Sequence, residues 1–373
     1  MQKKIDILFF DAASGHRSAA KALQRAIFLQ QPNWEVNTIN VVDLFQHHTV
    51  FQKIVIAGIN YFNFLLQREI LSDLPGLIRL SLFVQSTVGK KGQKNIAQFW
   101  KNTPPDAVIS VTPMYNEVCF KSLKIVNPDA QYITIPVDFA EPRKRYWFTP
   151  KINVYYLNAK NLLMDQAHKA GIDKQNMYKI GGMVVDPDFY LGDIDQKKEL
   201  EKKNLNPELP TITVSFGGQS SVILKIIATQ LNRLQEPINV IFLCGKNETV
   251  FNYLSQQTYQ FNKLVLGYQK ETPVHFFKIS DIVIGKPGAM TITECLIAKK
   301  PSLFIKSTGL DFVQRGNENW VEEHKVGIIV RDLKELPSLI SDMLTNKVYR
   351  ENAENNFHRG VFDAAEKIIA LSS

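Results

Sequence analysis

Long uncharged apolar runs are missing from this sequence. Nowhere do the roughly 18 such residues that carry a helix across a bilayer occur together. Cysteine is scarce as well. Cys119, Cys244 and Cys295 lie far apart and form no CxxC pair. That spacing excludes a zinc ribbon and a disulfide scaffold, and fits buried thiols in a reducing compartment. No internal repeat or low-complexity tract is present, so a solenoid is not expected. Acidic residues are in deficit, with 36 Asp and Glu against 44 Lys and Arg, for a net charge of +8. A basic chain favours anionic partners such as nucleotide phosphate or an acidic lipid surface. No nucleic-acid motif accompanies the charge, so nucleic acid is not an expected partner. The first residues, Met-Gln-Lys-Lys-Ile-Asp-Ile-Leu-Phe-Phe, are interrupted by Asp6 and Asp11 and read as a first strand rather than a signal peptide.

What is present is the material of two α/β domains. The length of 373 residues suits two domains better than one. Apolar runs at 5–10, 35–42, 107–111, 131–136, 154–157 and 178–180 alternate with helical patterns such as 18–30 and 160–170. That alternation predicts a parallel sheet. A polar stretch at 187–210 reads as a linker between a first domain, 1–186, and a second, 211–348. Strands are expected in the second domain at 211–216, 239–243, 263–266, 281–284 and 301–305, with a helix over 222–234. The last residues, about 349–373, read as one helix.

One segment breaks the alternation. Residues 53–67, KIVIAGINYFNFLLQ, place Lys53, Asn60, Asn63 and Gln67 on one helical stripe and apolar residues elsewhere. An apolar-rich stretch at 71–84 and the basic run Lys90, Lys91, Lys94 and Lys101 follow. The segment reads either as an interfacial helix on an anionic membrane or as part of a buried helix pair.

The most informative stretch is 281–301, DIVIGKPGAMTITECLIAKKP. A strand runs into the turn Gly285-Lys286-Pro287-Gly288, and a helix is expected to open near Thr291 with Glu294 in its first turn. Glycines let backbone approach a ligand closely, and free amides at a helix start favour phosphate. Glu294 stands where a ribose could donate hydrogen bonds; it is also simply an acid favourable to the helix dipole. Lys286 adds positive charge near the same turn. A second Gly turn, Gly217-Gly218-Gln219-Ser220, follows the strand at 211–216 and offers amides and the Ser220 hydroxyl. His16 closes the turn after the first strand, and histidine suits a base near neutrality. Asp138 closes another strand and could orient His16 or serve as the base itself.

These segments carry a family resemblance. Gly288-Ala289-Met290-Thr291-Ile292-Thr293-Glu294 resembles the nucleotide-sugar signature of the two-domain GT-B glycosyltransferases. The resemblance is to the group of monogalactosyldiacylglycerol synthases and processive diacylglycerol glucosyltransferases, related to the lipid I N-acetylglucosaminyltransferases. Asp11-Ala-Ala-Ser-Gly-His16 resembles the family's N-terminal Gly-rich loop. Residues 105–113 resemble its PDxxISxxP strand, Cys244-Gly245-Lys246-Asn247 its CGxN turn, and Gln314-Arg-Gly-Asn317 its sugar-binding loop.

The resemblance implies two Rossmann-like domains facing a cleft, with the C-terminal helix packing back on the first. It places Gly288, Ala289, Met290 and Thr291 on the diphosphate, Glu294 on the ribose, Tyr268 beside uracil, and Gln314 and Asn317 on the sugar. It implies an inverting transfer of galactose or glucose from a UDP-sugar to diacylglycerol or a related lipid. No metal is expected, and no Asp-x-Asp pair stands in a loop suited to holding one on a diphosphate. The implied location is peripheral, on the cytoplasmic face of a membrane, or at a plastid envelope in a plant or alga. Two departures stand out. Val313 occupies a position where the family has a polar residue, and Ala12-Ala13-Ser14 replaces glycines. They keep open a nucleotide-sugar-binding protein without transferase activity; a transferase using another lipid acceptor or UDP-N-acetylglucosamine, and an epimerase on the same fold, are further alternatives.

Overall fold

A computed structural model describes residues 2–11, 15–45, 49–68, 76, 90–113, 115–142, 144, 146–192, 194–217, 222–269, 273–306 and 311–373. The chain divides into two compact units. The first holds the residues up to Pro187, apart from 67–69, together with Arg359–Ser373; the second holds Asp188–His358.

The first unit is built on six parallel strands: β1 (Lys4–Phe9), β2 (Glu35–Asn40), β3 (Ala107–Ser110), β4 (Gln131–Thr134), β5 (Tyr155–Asn158) and β6 (Met177–Lys179). Their spatial order is β2-β1-β3-β4-β5-β6. Its helices are α1 (Gly15–Gln30), α2 (Thr49–Arg68), α3 (Lys90–Trp100), α4 (Asn116–Val126) and α5 (Asn161–Lys169). Ile5, Ile7, Ala107, Val108 and Ile109 are fully buried, as expected for strands covered on both faces. The buried Asp6 accepts from the Trp100 indole at 2.9 Å, fixing α3 to the sheet.

The second unit repeats the plan with β7 (Thr211–Ser215), β8 (Asn239–Leu243), β9 (Asn262–Leu266), β10 (Ile282–Gly285), β11 (Ser302–Ile305) and β12 (Gly327–Val330). Their order is β12-β11-β10-β7-β8-β9, all parallel. Helices α6 (Gln196–Lys202), α7 (Ile223–Leu231), α8 (Glu248–Gln256), α9 (Val274–Lys278), α10 (Ala289–Ile297), α11 (Asp311–His324), α12 (Leu336–Thr345) and α13 (Val348–Asn355) belong here, and α14 (Gly360–Ser372) closes the chain. Counted from β7, this is the dinucleotide-fold order 3-2-1-4-5-6. In both units the order reverses beside the first strand, between β1 and β3 and between β7 and β10. Open parallel sheets bind ligands at the carboxyl ends of strands flanking such a reversal.

Three elements differ from the sequence reading. β12 is a short edge strand, and its four residues between Lys325 and Arg331 left little apolar signal. The single C-terminal helix is two, α13 and α14, interrupted between Asn355 and Gly360. The break lets α14 belong to the first unit, where it packs on α1. Part of the polar stretch at 187–210 is helical, as α6, and the Lys278 ammonium donates to the Gly192 carbonyl at 3.0 Å.

Candidate active site

In the second unit the site grows from the end of β10. Gly285 pairs with Ser215, and a Cβ at this glycine would lie 2.9 Å from the Ser215 carbonyl oxygen. Only glycine lets the two strands lie this close where their loops diverge. The chain then turns through Lys286 and Pro287 to Gly288, the N-cap of α10.

The helix begins at Ala289, earlier than the expected start near Thr291, because extended Gly288 caps it with backbone alone. Glu294 is therefore the sixth helical residue rather than a first-turn acid. No side chain caps the helix. The first amides of α10 are without intrahelical partners by construction, and so form an anion-binding end. Lys286 is half-buried beside this end, and burial lowers its pKa. Gly217, at the end of β7, has φ of +81°, a conformation that glycine adopts without strain. Gly218 and Ser220 lie outside the described residues.

α11 reaches the same loop. The Asn317 amide donates to the Pro287 carbonyl at 3.0 Å. Gln314, one turn earlier, is buried, and its Oε1 makes no hydrogen bond among the described residues. Glu318, also buried, lies 3.9 Å from the Lys306 ammonium at the end of β11. The sequence reading missed Lys306 and Glu318, which carry no motif of their own. The structure thus gathers Lys286, Gly288, Ala289, Met290, Thr291, Gln314 and Asn317 around one loop, with Gly217 on the strand beside it.

Tyr268 stands apart, after β9, two strands or roughly 10 Å from β7. Its ring is half exposed, and the Lys246 ammonium lies 5.0 Å from its centroid. The CGxN turn has a structural explanation. Gly245 takes φ of +53°, Asn247 caps α8 by accepting from the Val250 amide at 3.1 Å, and Cys244 is buried, its thiol pushed up to about 12.

In the first unit, His16 lies in the first turn of α1, after β1. Its Nδ1 sits 2.7 Å from the Val111 carbonyl, just beyond β3, so the ring bridges the reversal between the two strands. A carbonyl only accepts, so Nδ1 carries the proton and Nε2 is left as a base. Burial lowers the His16 pKa, which keeps that base neutral.

Asp138 shares no hydrogen bond with His16 among the described residues. It instead accepts from the Trp147 indole at 2.9 Å, and Trp147 packs against the His16 ring at 6.2 Å between centroids. Burial pushes the Asp138 carboxyl up to about 6, against the lowering effect of the indole N–H.

Elsewhere on this unit α2 presents Ile54, Tyr61 and Phe64 to solvent along one face, with Lys53 beside them. Lys90, Lys94 and Lys101 are also exposed. The segment 71–84 lies outside the described residues, apart from Gly76. No helix among the described residues is long and apolar enough to cross a membrane.

Comparison with known proteins finds a match for each unit. Residues 16–184 match the monogalactosyldiacylglycerol (MGDG) synthase profile, and residues 211–368 the glycosyltransferase family 28 C-terminal domain. The chain thus joins a region similar to MGDG synthase to one similar to the family 28 C-terminal domain, on a GT-B fold. Among curated relatives, the processive diacylglycerol beta-glucosyltransferase of Staphylococcus saprophyticus is 34% identical over 165 residues. That match covers 43% of this chain and 41% of the relative. Monogalactosyldiacylglycerol synthase 3 of Arabidopsis thaliana is 23% identical, over 99% of this chain and 82% of that one. The chain spans about half the length of the first curated relatives it matches.

Two solved structures share the fold. MurG of Acinetobacter baumannii aligns with a TM-score of 0.63 at 12% identity, over 99% of this chain and 100% of that one. Anabaena HepE, solved with UDP and glucose, aligns with a TM-score of 0.54 at 12% identity, over 100% and 97% respectively.

Proposed function

We propose that this protein is a peripheral membrane glycosyltransferase that moves a hexose from a UDP-sugar to diacylglycerol with inversion at the anomeric carbon. The observation that carries this reading is the open N-terminus of α10 at the strand reversal of a sheet matching the family 28 domain. Its amides and Lys286 would meet the growing negative charge of the departing diphosphate, and no metal is needed in this scheme. Glu294 would accept from the ribose hydroxyls, Tyr268 would lie beside the base, and Gln314 and Asn317 would hold the sugar. The relatives' names supply the acceptor class, diacylglycerol.

His16 is the general base in this scheme. The acceptor hydroxyl would give its proton to Nε2 as its oxygen attacks the anomeric carbon and the bond to the diphosphate breaks. The exposed apolar face of α2, with lysines nearby, supports contact with an anionic bilayer on its cytoplasmic side.

A second reading is a nucleotide-sugar-binding protein without turnover, favoured by the apolar Val313 beside Gln314. One assay separates the two. UDP release is measured for a panel of UDP-sugars, with and without diacylglycerol in vesicles containing anionic lipid. Diacylglycerol-dependent release with one sugar supports the transferase and names its donor. Tight UDP binding with no acceptor-dependent release for any sugar or lipid would leave the binding protein.

A further inference from the structure

Residues 141–148 follow β4 in the first unit, and their chemistry is not used by the scheme above. The Glu141 carboxylate accepts from three successive amides through one oxygen: Tyr146 at 2.9 Å, Trp147 at 3.1 Å and Phe148 at 3.3 Å. Glu141 is itself tied to α5. Its amide donates to the Gln166 side-chain oxygen at 2.6 Å, and its carbonyl accepts from the Gln166 side-chain nitrogen at 3.3 Å. Hydrogen bonds from amides to a carboxylate are charge-assisted and of the stronger kind. The backbone carrying Trp147 is therefore held at three successive amides.

Trp147 is fully buried. Its indole N–H donates to Asp138 Oδ2 at 2.9 Å, and its ring packs 6.2 Å from the His16 imidazole with the planes inclined at 52°. That separation falls within the range of direct aromatic contact. One side chain thus touches both groups that could handle the acceptor's proton, while those two groups share no hydrogen bond among the described residues. Three titratable groups lie on or beside the residues of this cluster. The Tyr146 phenol is pushed up by burial and by the Asp138 charge. The Lys160 ammonium lies 4.3 Å over the neighbouring Phe139 ring. His16 lies across the indole.

Resting on the reading of His16 and Asp138 given above, we infer that Glu141 and Trp147 form a positioning chain for the catalytic base. Glu141 fixes the backbone of 146–148, and Trp147 then sets the Asp138 carboxylate with its N–H and the His16 ring with its face. Neither residue transfers a proton. Nothing in the sequence motifs points to Glu141, because it opens the polar run Glu-Pro-Arg-Lys-Arg, which reads as an ordinary surface loop.

The test uses the full chain, with Trp147→Phe and Glu141→Ala as the disrupting variants and Glu141→Gln as the conservative one. Phenylalanine keeps a ring in the buried site but removes the N–H; glutamine keeps an oxygen that the three amides can still meet. Asp138 is titrated by carbon-13 NMR, His16 by nitrogen-15 NMR, and UDP binding by calorimetry. Trp147→Phe is expected to raise the Asp138 pKa above about 6, since its one described donor is lost. Glu141→Ala is expected to perturb both the Asp138 and His16 titrations, and Glu141→Gln to restore them. Turnover should fall about 10²-fold in the first two variants, as for small misplacements of reacting groups, with UDP affinity unchanged.

Wild-type titrations of Asp138 and His16 in Trp147→Phe and Glu141→Ala would overturn the inference. So would wild-type turnover in those variants. A wild-type chain with no turnover would sink the transferase reading alone, since the NMR titrations decide the coupling without it.

Discussion

The imidazole of His16 and the carbonyl of Val111, 95 residues apart, are joined by a 2.7 Å hydrogen bond across the strand reversal of the first sheet. The bond fixes one tautomer, and burial lowers the ring's pKa, so a neutral base is held in place.

Replacing His16 with Gln should lower turnover by about 10²–10⁴-fold while UDP affinity is kept, as read by UDP release and calorimetry. The pH dependence has a definite sign. Because the folded pKa is depressed, the base form persists below the ordinary value near 6.5, and turnover falls only as pH drops through the lowered value. Stability should follow the same direction. The unfolded chain takes up the proton more readily, so the His16 contribution is lost as pH falls below about 6.5 and is absent from His16→Gln.

Glu294 should reveal itself through the ribose. Glu294→Gln is expected to weaken UDP binding by roughly 10- to 100-fold, the range of hydrogen bonds to a charged group. It should also erase the preference for UDP over 2′-deoxy-UDP, measured by competition. An unchanged preference would place the carboxylate elsewhere.

Gln314 offers a trade between stability and turnover. Its buried Oε1, without a hydrogen-bond partner among the described residues, costs free energy in the free protein. Gln314→Leu should therefore raise unfolding stability by about 1 kcal/mol in denaturant titrations. The same change should lower kcat/KM for the UDP-sugar, because the lost acceptor is the one left open for a sugar hydroxyl.

The α2 face should govern binding to bilayers. Ile54→Glu and Phe64→Glu each remove a large exposed apolar side chain, and full burial of one contributes about 1.5–3 kcal/mol. Retention on vesicles rich in anionic lipid should fall at least tenfold per substitution in co-sedimentation, with UDP binding unchanged. Retention equal to that of the wild type would remove α2 from the membrane contact.

Much of this was legible in the sequence because buried parallel strands write themselves as apolar runs. The runs at 5–10 and 211–216 became β1 and β7, and the turn after 281–284 became the β10 loop. The start of α10 was misplaced because extended Gly288 caps it without a side chain, so no Ser, Thr, Asp or Asn marked the position. The route from Asp138 to His16 was not legible in the sequence. Asp138 stood as an orienting group or as the base itself, and nothing in the chain order announced that an indole touches both residues. β12 and the interruption between α13 and α14 depend on tertiary placement, since four apolar residues and a short polar stretch carry no decisive period.

The placement of α14 has a consequence for biogenesis. The helix that covers α1 in the first unit leaves the ribosome only after the whole of Asp188–His358. The usual order, in which the N-terminal domain matures first, is therefore reversed here. The second unit can close while the first still exposes the surface of α1, and a nascent chain stalled before Gly360 would present that uncovered helix to chaperones and proteases.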